Sequence, residues 1–84
     1  MHVVIAKVNE VLYDGEADSL TVLGAAGEMT ILGHHEPLIT TLKPGTITVR
    51  LAHRATAEGG ASEQTFAVQS GVLEVRSEGA TVLL

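Results

Sequence analysis

Gly24-Ala-Ala-Gly-Glu-Met-Thr-Ile-Leu-Gly-His-His-Glu-Pro-Leu-Ile-Thr-Thr-Leu-Lys-Pro-Gly45 is the stretch on which the reading of this chain turns. Glycines at 24, 27, 33 and 45 and prolines at 37 and 44 cut it into two short runs, near 28–32 and 38–42. Glycine supplies backbone angles closed to other residues, and proline cannot donate to an interior sheet ladder, so such punctuation marks turns between strands. Nothing here pairs a nucleophile with a base. Gly24-Ala-Ala-Gly27 is no phosphate loop, because it lacks the Lys-Ser/Thr and the helix that such a loop opens.

Outward from this stretch the periodicity is two. Ile47, Val49 and Leu51 alternate with Thr46, Thr48 and Arg50; Leu20 and Val22 alternate with Ser19 and Thr21; Phe66 and Val68 fall on one face of 64–68. Alternation of this kind marks strands with one buried face. Residues 3–8 and 80–84 are apolar on both faces, as in strands covered on each side by a sheet or a partner. Turn signals recur at Asp14-Gly15, Gly24 to Gly27, Gly33-His34, Lys43-Pro44-Gly45, Glu58-Gly59-Gly60, Ser70-Gly71 and Glu78-Gly79, the spacing of a sandwich or barrel. No window carries the i, i+3, i+4, i+7 stripe of an amphipathic helix. The expected fold is all-β: about ten strands in two sheets, a β-sandwich or flattened barrel, forming one domain over 1–84. Strands are expected near 3–8, 10–13, 17–23, 28–32, 38–42, 46–53, 63–69, 72–76 and 80–84, with 54–62 a hairpin tip.

Composition sets the limits. A chain of 84 residues buries about 60–65% of its unfolded surface, so ten Val, ten Leu and four Ile must build a modest core with Tyr13 and Phe66 alone as aromatics. Without Cys, neither disulfides nor thiolate metal sites staple it. A net charge of −5, with Lys and Arg scattered singly, excludes a phosphate-tracking stripe and docking on anionic lipid. The longest apolar run falls far short of the ~20 residues a membrane helix needs, and residues 1–8 have no signal-peptide pattern.

Few residues invite chemistry. His34 and His35 are adjacent, so on a strand their rings point to opposite faces, and no third or fourth metal ligand has a claim. Asp14, Glu16 and Asp18 imitate the start of a calcium loop, but Ser19 stands where that loop needs Gly and no Glu closes it; a solvated acidic edge is the better reading. Ser70-Gly71 lacks a nucleophile elbow. No catalytic, metal or cofactor site is expected.

The same stretch resembles the signature loop of the epsilon subunit of F-type ATP synthases (the delta subunit in mitochondria). In that family it runs Gly-x-x-Gly-Glu-(Leu/Met)-x-Ile-(Leu/Tyr)-Pro-Gly-His-x-Pro-Leu-(Leu/Ile)-Thr-x-(Leu/Ile)-Lys-Pro-Gly. Here Gly24, Gly27, Glu28, Ile31, His35, Pro37, Leu38, Thr40, Lys43, Pro44 and Gly45 fall in register. Tyr13-Asp14-Gly15 stands where the family has Phe-Ser-Gly. Ser70-Gly71-Val72-Leu73-Glu74-Val75 looks like its Gly-Gly-x-Leu-Glu-Val, and Thr81-Val82-Leu83 like its Val-Thr-Val-Leu. Four blocks in order, from residue 3 to 84, make the resemblance specific. It departs at Gly33-His34-His35, where the family has Pro-Gly-His, and at Leu84, where most members continue into a helical hairpin.

The resemblance implies the N-terminal β-sandwich of a rotor-stalk subunit, non-catalytic and peripheral on the cytoplasmic side of a bacterial inner membrane. It is expected to be a monomer in isolation. The gamma subunit is the implied partner for one face, and the polar loops of the c-ring are the implied partners for the base loops. Glu28 and His35 match the family's ring-facing residues, Gly27 and Gly33 shape the loop presenting them, and both are expected on one exposed loop end. A chain ending at Leu84 is expected neither to inhibit ATP hydrolysis nor to bind ATP, functions that the family's hairpin carries. The competing class is a free-standing β-sandwich module for a small ligand or peptide.

Overall fold

The computed structural model describes residues 1–33, 36–51 and 62–84. Its elements are β1 (His2–Lys7), β2 (Glu10–Gly24), β3 (Gly27–Leu32), β4 (Leu38–Leu42), β5 (Gly45–Leu51), β6 (Glu63–Val68), β7 (Gly71–Arg76) and β8 (Gly79–Leu83). Among the described residues there is no helix, and the all-β sandwich reading holds. Residues 54–61 of the expected hairpin tip and 52–53 of the expected strand 46–53 lie outside the described residues.

Among the described residues the strands number eight rather than about ten, chiefly because 10–13 and 17–23 are one strand. Asp14-Gly15 makes no turn: Asp14 pairs with Val4 and Gly15 with Val3, so the ladder runs through the expected break. A straight strand of 15 residues would span about 46 Å at 3.3 Å per residue. The molecule's longest dimension is 35 Å, so β2 has to bend. The register shifts at two places. Leu12 is the extra residue against β1, between the pairs Ile5–Tyr13 and Ala6–Val11, and Asp18 is extra against β5, between Ala17–Leu51 and Ser19–Arg50. Bulges of this kind kink a strand and raise its twist.

The bend lets β2 serve both layers. Its first half pairs antiparallel with β1, which lies parallel to β8; β8 pairs with β7, β7 with β4, and β4 meets β2 again at Leu42–Gly24. Its second half runs between β3 and β5, with β6 beyond β5. One layer is therefore the first half of β2 with β1, β8, β7 and β4. The other is β3, the second half of β2, β5 and β6. Corners made by strands that change sheets are a known solution for closing sandwiches.

The core lies between them and is wholly apolar, with Val3, Ile5, Leu20, Val22, Ile31, Ile47, Val49, Leu73, Val75 and Val82 at most 2% exposed. The alternation at Leu20/Val22 and Ile47/Val49 is borne out, and Leu51 and Phe66 pack half-buried against the same cluster. Each such aliphatic side chain contributes about 1.5–3 kcal/mol when fully buried. Tyr13 meets Phe66 edge-on at 6.3 Å across the layers, and its hydroxyl donates to the carbonyl oxygen of Glu16 at 2.8 Å. Burial raises the Tyr13 phenol above its ordinary value, with the Glu16 charge adding to the effect.

β8 approaches β1 at Gly79 with no room to spare. A Cβ there would collide with the carbonyl oxygen of His2, which is backbone and fixed in the parallel ladder. Around Gly33, none of the described residues comes within 4 Å of where a Cβ would stand, and its φ is not positive. Gly79→Ala is expected to cost at least about 2 kcal/mol, the scale of overpacking against an unyielding neighbour. Gly33→Ala should stay within about ±0.5 kcal/mol. Urea midpoints for the two variants check this; equal midpoints would contradict the close packing of β8 on β1.

Candidate functional site

The registers sort the turns into two ends. At one end lie the turns 8–9, 25–26, 43–44 and 69–70 together with Leu84. They are tied by Ala25 N–H to Thr41 O (3.0 Å), Lys43 N–H to Leu23 O (2.9 Å) and Leu84 N–H to Ala6 O (2.9 Å). At the other end lie Met1, Gly33, the 36–37 segment and the turn 77–78, joined by Met1 to Ala17 and by His2 N–H to Glu78 O.

This arrangement divides the residues that the resemblance groups together. Gly27 and Glu28 stand at the start of β3, beside the 25–26 turn, and Gly33 follows its end. Five residues of strand, about 16 Å, separate Glu28 from Gly33. The two glycines therefore do not shape one loop. His35 and His34 lie outside the described residues. Gly27 has φ of 128°, a conformation L side chains rarely adopt, which is why the hairpin after Ala26 needs glycine there. Glu28 is exposed and pairs across the sheet with Leu23.

The outer face of the β1–β8–β7–β4 layer is split in two. Toward the Met1 end it is charged. His2 Nε2 lies 2.6 Å from Asp14 and its Nδ1 lies 3.3 Å from Glu16, while Arg76 binds Glu74 at 2.8 Å and reaches Glu78 at 3.8 Å. The acidic edge read at Asp14 and Glu16 thus has a partner on β1. Toward the other end, the pairings Val11–Ala6, Ala6–Leu83 and Leu83–Val72 line up an apolar row across four strands. Val11 is 61% exposed, Leu83 58% and Val72 40%; Ile39 in the neighbouring row is 70% exposed. The signal was in the sequence: Val72 and Leu83 alternate with the core residues Leu73 and Val82, so their apolar side chains stand on an outer face. Rows of exposed apolar residues on a small protein mark interaction surfaces.

No polar machinery accompanies it. Among the described residues no three His, Asp or Glu side chains are arranged to hold a metal, and no buried side-chain polar atom lacks a partner. The depression between Leu23, Leu42, Ile47 and Val68 has no room for even a water molecule, far from the ~300–1,000 Å³ of small-molecule sites. No helix among the described residues is long and apolar enough to cross a membrane.

Among the described residues this small β-sandwich assembles no cluster able to hold a metal and exposes an apolar row. Its family is specific: residues 1–84 match the β-sandwich domain model of the ATP synthase delta/epsilon chain, and the chain belongs to that family. It is 36% identical over 83 residues to the ATP synthase epsilon chain of Herminiimonas arsenicoxydans, covering 99% of this chain and 55% of that one. It is 42% identical over 79 residues to the epsilon chain of Acinetobacter baylyi, covering 94% of this chain and 52% of that one. The chain thus spans about half the length of these curated relatives.

Two solved structures share the fold. A chain of the Euglena gracilis mitochondrial ATP synthase (OSCP/F1/c-ring) superposes with a TM-score of 0.80 at 19% identity, over 96% of this chain and 48% of that one. A chain of the Tetrahymena thermophila enzyme (central stalk and c-ring) gives 0.74 at 15% identity, over 99% and 61%.

The 77–78 turn offers a pH test of the charged half. The Glu78 backbone N–H holds its own carboxyl below the usual carboxylate range. The Ser77 hydroxyl (3.1 Å) and the Arg76 guanidinium act in the same direction, and slight desolvation opposes them. The folded state favours the charged form, so this contribution is present above the unfolded carboxylate pKa and fades as pH falls through the lower folded value. Ser77→Ala should move the Glu78 midpoint upward in a carbon-detected NMR titration; an unchanged midpoint would dismiss the hydroxyl's part.

Proposed function

We propose that the chain is the N-terminal sandwich of a rotor-stalk subunit of an F-type ATP synthase. It is non-catalytic and peripheral to the membrane, seated on gamma and touching the c-ring, so that ring rotation reaches gamma. The observation that carries the reading is the match to epsilon chains over almost the whole of this sequence. The geometry supports it in two ways. A torque-transmitting adaptor needs a rigid body and two contact surfaces, and the closed ring of strands supplies the first. The apolar row of Val11, Leu83 and Val72 is suited to a lasting protein contact and is assigned to gamma. The end bearing Gly27 and Glu28 is assigned to the polar ring loops. Gly33 follows the other end of β3, away from Glu28, and the ring-facing role of His35 rests on the family resemblance alone.

The two surfaces separate in experiment. Leu83→Lys with Val72→Lys places charge in the apolar row without touching the core, and is expected to lower capture by purified gamma at least tenfold (about 1.4 kcal/mol). The melting temperature should stay close to that of the parent chain. Glu28→Lys should leave gamma capture intact and reduce cross-linking to c-ring loops in the assembled rotor. Failure of the parent chain to bind gamma at micromolar concentration would refute the reading. Unchanged capture by the double variant would instead move the gamma contact off this face.

A further inference from the structure

The two layers rejoin where Gly24 pairs with Leu42, and a thioether sits against that pairing. Met29 stands on β3, opposite Val22, and is half-buried against the core. Its sulfur lies 3.2 Å from where a Gly24 Cβ would stand, and the Thr40 methyl lies 3.6 Å from the same point. The long, unbranched side chain thus fills the space that glycine leaves open, as methionine does in irregular gaps. Among the described residues β3 has ladder pairs with β2 alone. The Met29 side chain, not a ladder, therefore reaches from β3 toward β4 at this corner.

The polar groups around the sulfur are already committed. The Thr40 hydroxyl donates to Thr41 O at 3.1 Å, Ala25 N–H donates to the same oxygen at 3.0 Å, and Lys43 N–H donates to Leu23 O at 2.9 Å. A thioether asks little of such neighbours. A sulfoxide oxygen is polar and a strong acceptor, and burying it without a donor is costly. It has to take the Thr40 hydroxyl from Thr41 or turn the side chain out to solvent, and either move disturbs the contact over Gly24. The sulfur is also reachable, because Met29 lies on an outer strand between exposed Glu28 and Thr30. Met1, the chain's other methionine, keeps its side chain 3% exposed.

We propose that Met29 is an oxidation site whose sulfoxide loosens the corner between the two layers. The oxidant is hydrogen peroxide. A sulfur lone pair attacks one peroxide oxygen, the O–O bond breaks, and the departing hydroxide takes the proton of the transferred oxygen and leaves as water. Sulfur loses two electrons and the peroxide gains them. Methionine sulfoxide reductases reverse the change, which makes it a switch rather than only a lesion. The inference does not depend on what this end of the molecule contacts.

The test treats the whole chain with graded hydrogen peroxide and follows oxygen uptake by mass spectrometry and amide hydrogen exchange by NMR. Met29 is expected to take up one oxygen before Met1. In the oxidised chain the Ala25 and Lys43 amides should exchange at least about tenfold faster, the signature of local opening, while the β7–β8 ladder is unchanged. Treatment with the reductase should restore the slow rates. Met29→Gln, with a polar acceptor at similar length, should show the fast exchange without peroxide. Met29→Leu, close in volume and without sulfur, should keep the parent rates and ignore peroxide. Complete Met29 oxidation with unchanged Ala25 and Lys43 exchange would overturn the proposal. So would earlier oxidation of Met1, or a Met29→Leu chain that peroxide loosens as much as the parent.

Discussion

Everything in this molecule depends on β2 being one strand in two sheets. Its first half holds β1 and, through β1, the β8–β7–β4 ladder; its second half holds β3 and the β5–β6 hairpin. A chain with 84 residues and no disulfide has little core to spend on joining two separate sheets. Covalent continuity through β2 removes that need, and the return contact from Leu42 to Gly24 completes the ring. The bulges at Leu12 and Asp18 are therefore what lets a strand too long for the molecule turn its corner. An exposed Asp suits the second, where the extra residue has no ladder partner.

The same continuity explains what could and could not be read from residues alone. Alternation identified the buried faces of β2, β5 and β6 because period two survives wherever one face meets the core. Asp14-Gly15 misled because its composition is that of a turn, whereas its conformation is set by Val3 and Val4 across the ladder. Tertiary pairing there overrides local preference. The positive φ of Gly27 was legible as a turn glycine, and the open surroundings of Gly33 were not, since no sequence tells whether a glycine is required or merely tolerated. The grouping of Gly27, Glu28 and Gly33 came from the family resemblance, which sets them in one loop. Along a strand, nearness in sequence becomes distance in space, and β3 carries the two glycines to opposite ends.

The apolar row was half-visible. Residues 80–84 read as apolar on both faces, which leaves open whether the second face is covered by a sheet or by a partner. The structure leaves Leu83 outside, in register with Val72, Ala6 and Val11, while His2, Asp14, Glu16 and Arg76 occupy the rest of that face. Only the registers of four separate pairings bring these residues into line, so no single window of sequence could have shown the row.

The proposed rotor-stalk role would require a body of this size to hold its two contacts fixed relative to each other. Torque passed from one partner to another is wasted if the two contacts share a hinge. Here the apolar row and the Glu28–Leu23–Lys43 end meet at a corner held by β4 and β2: Lys43 follows β4, whose Thr41 pairs with Val72, and Leu23 precedes the Gly24 that pairs with Leu42. A load applied at Lys43 or Leu23 thus enters two ladders at once, one in each layer. Two main-chain hydrogen bonds span that corner, Ala25 N–H to Thr41 O at 3.0 Å and Lys43 N–H to Leu23 O at 2.9 Å. The narrow contact between β4 and β2 is where the two layers rejoin, and Gly24 is buried there, with the Met29 sulfur 3.2 Å and the Thr40 methyl 3.6 Å from where a Cβ would stand.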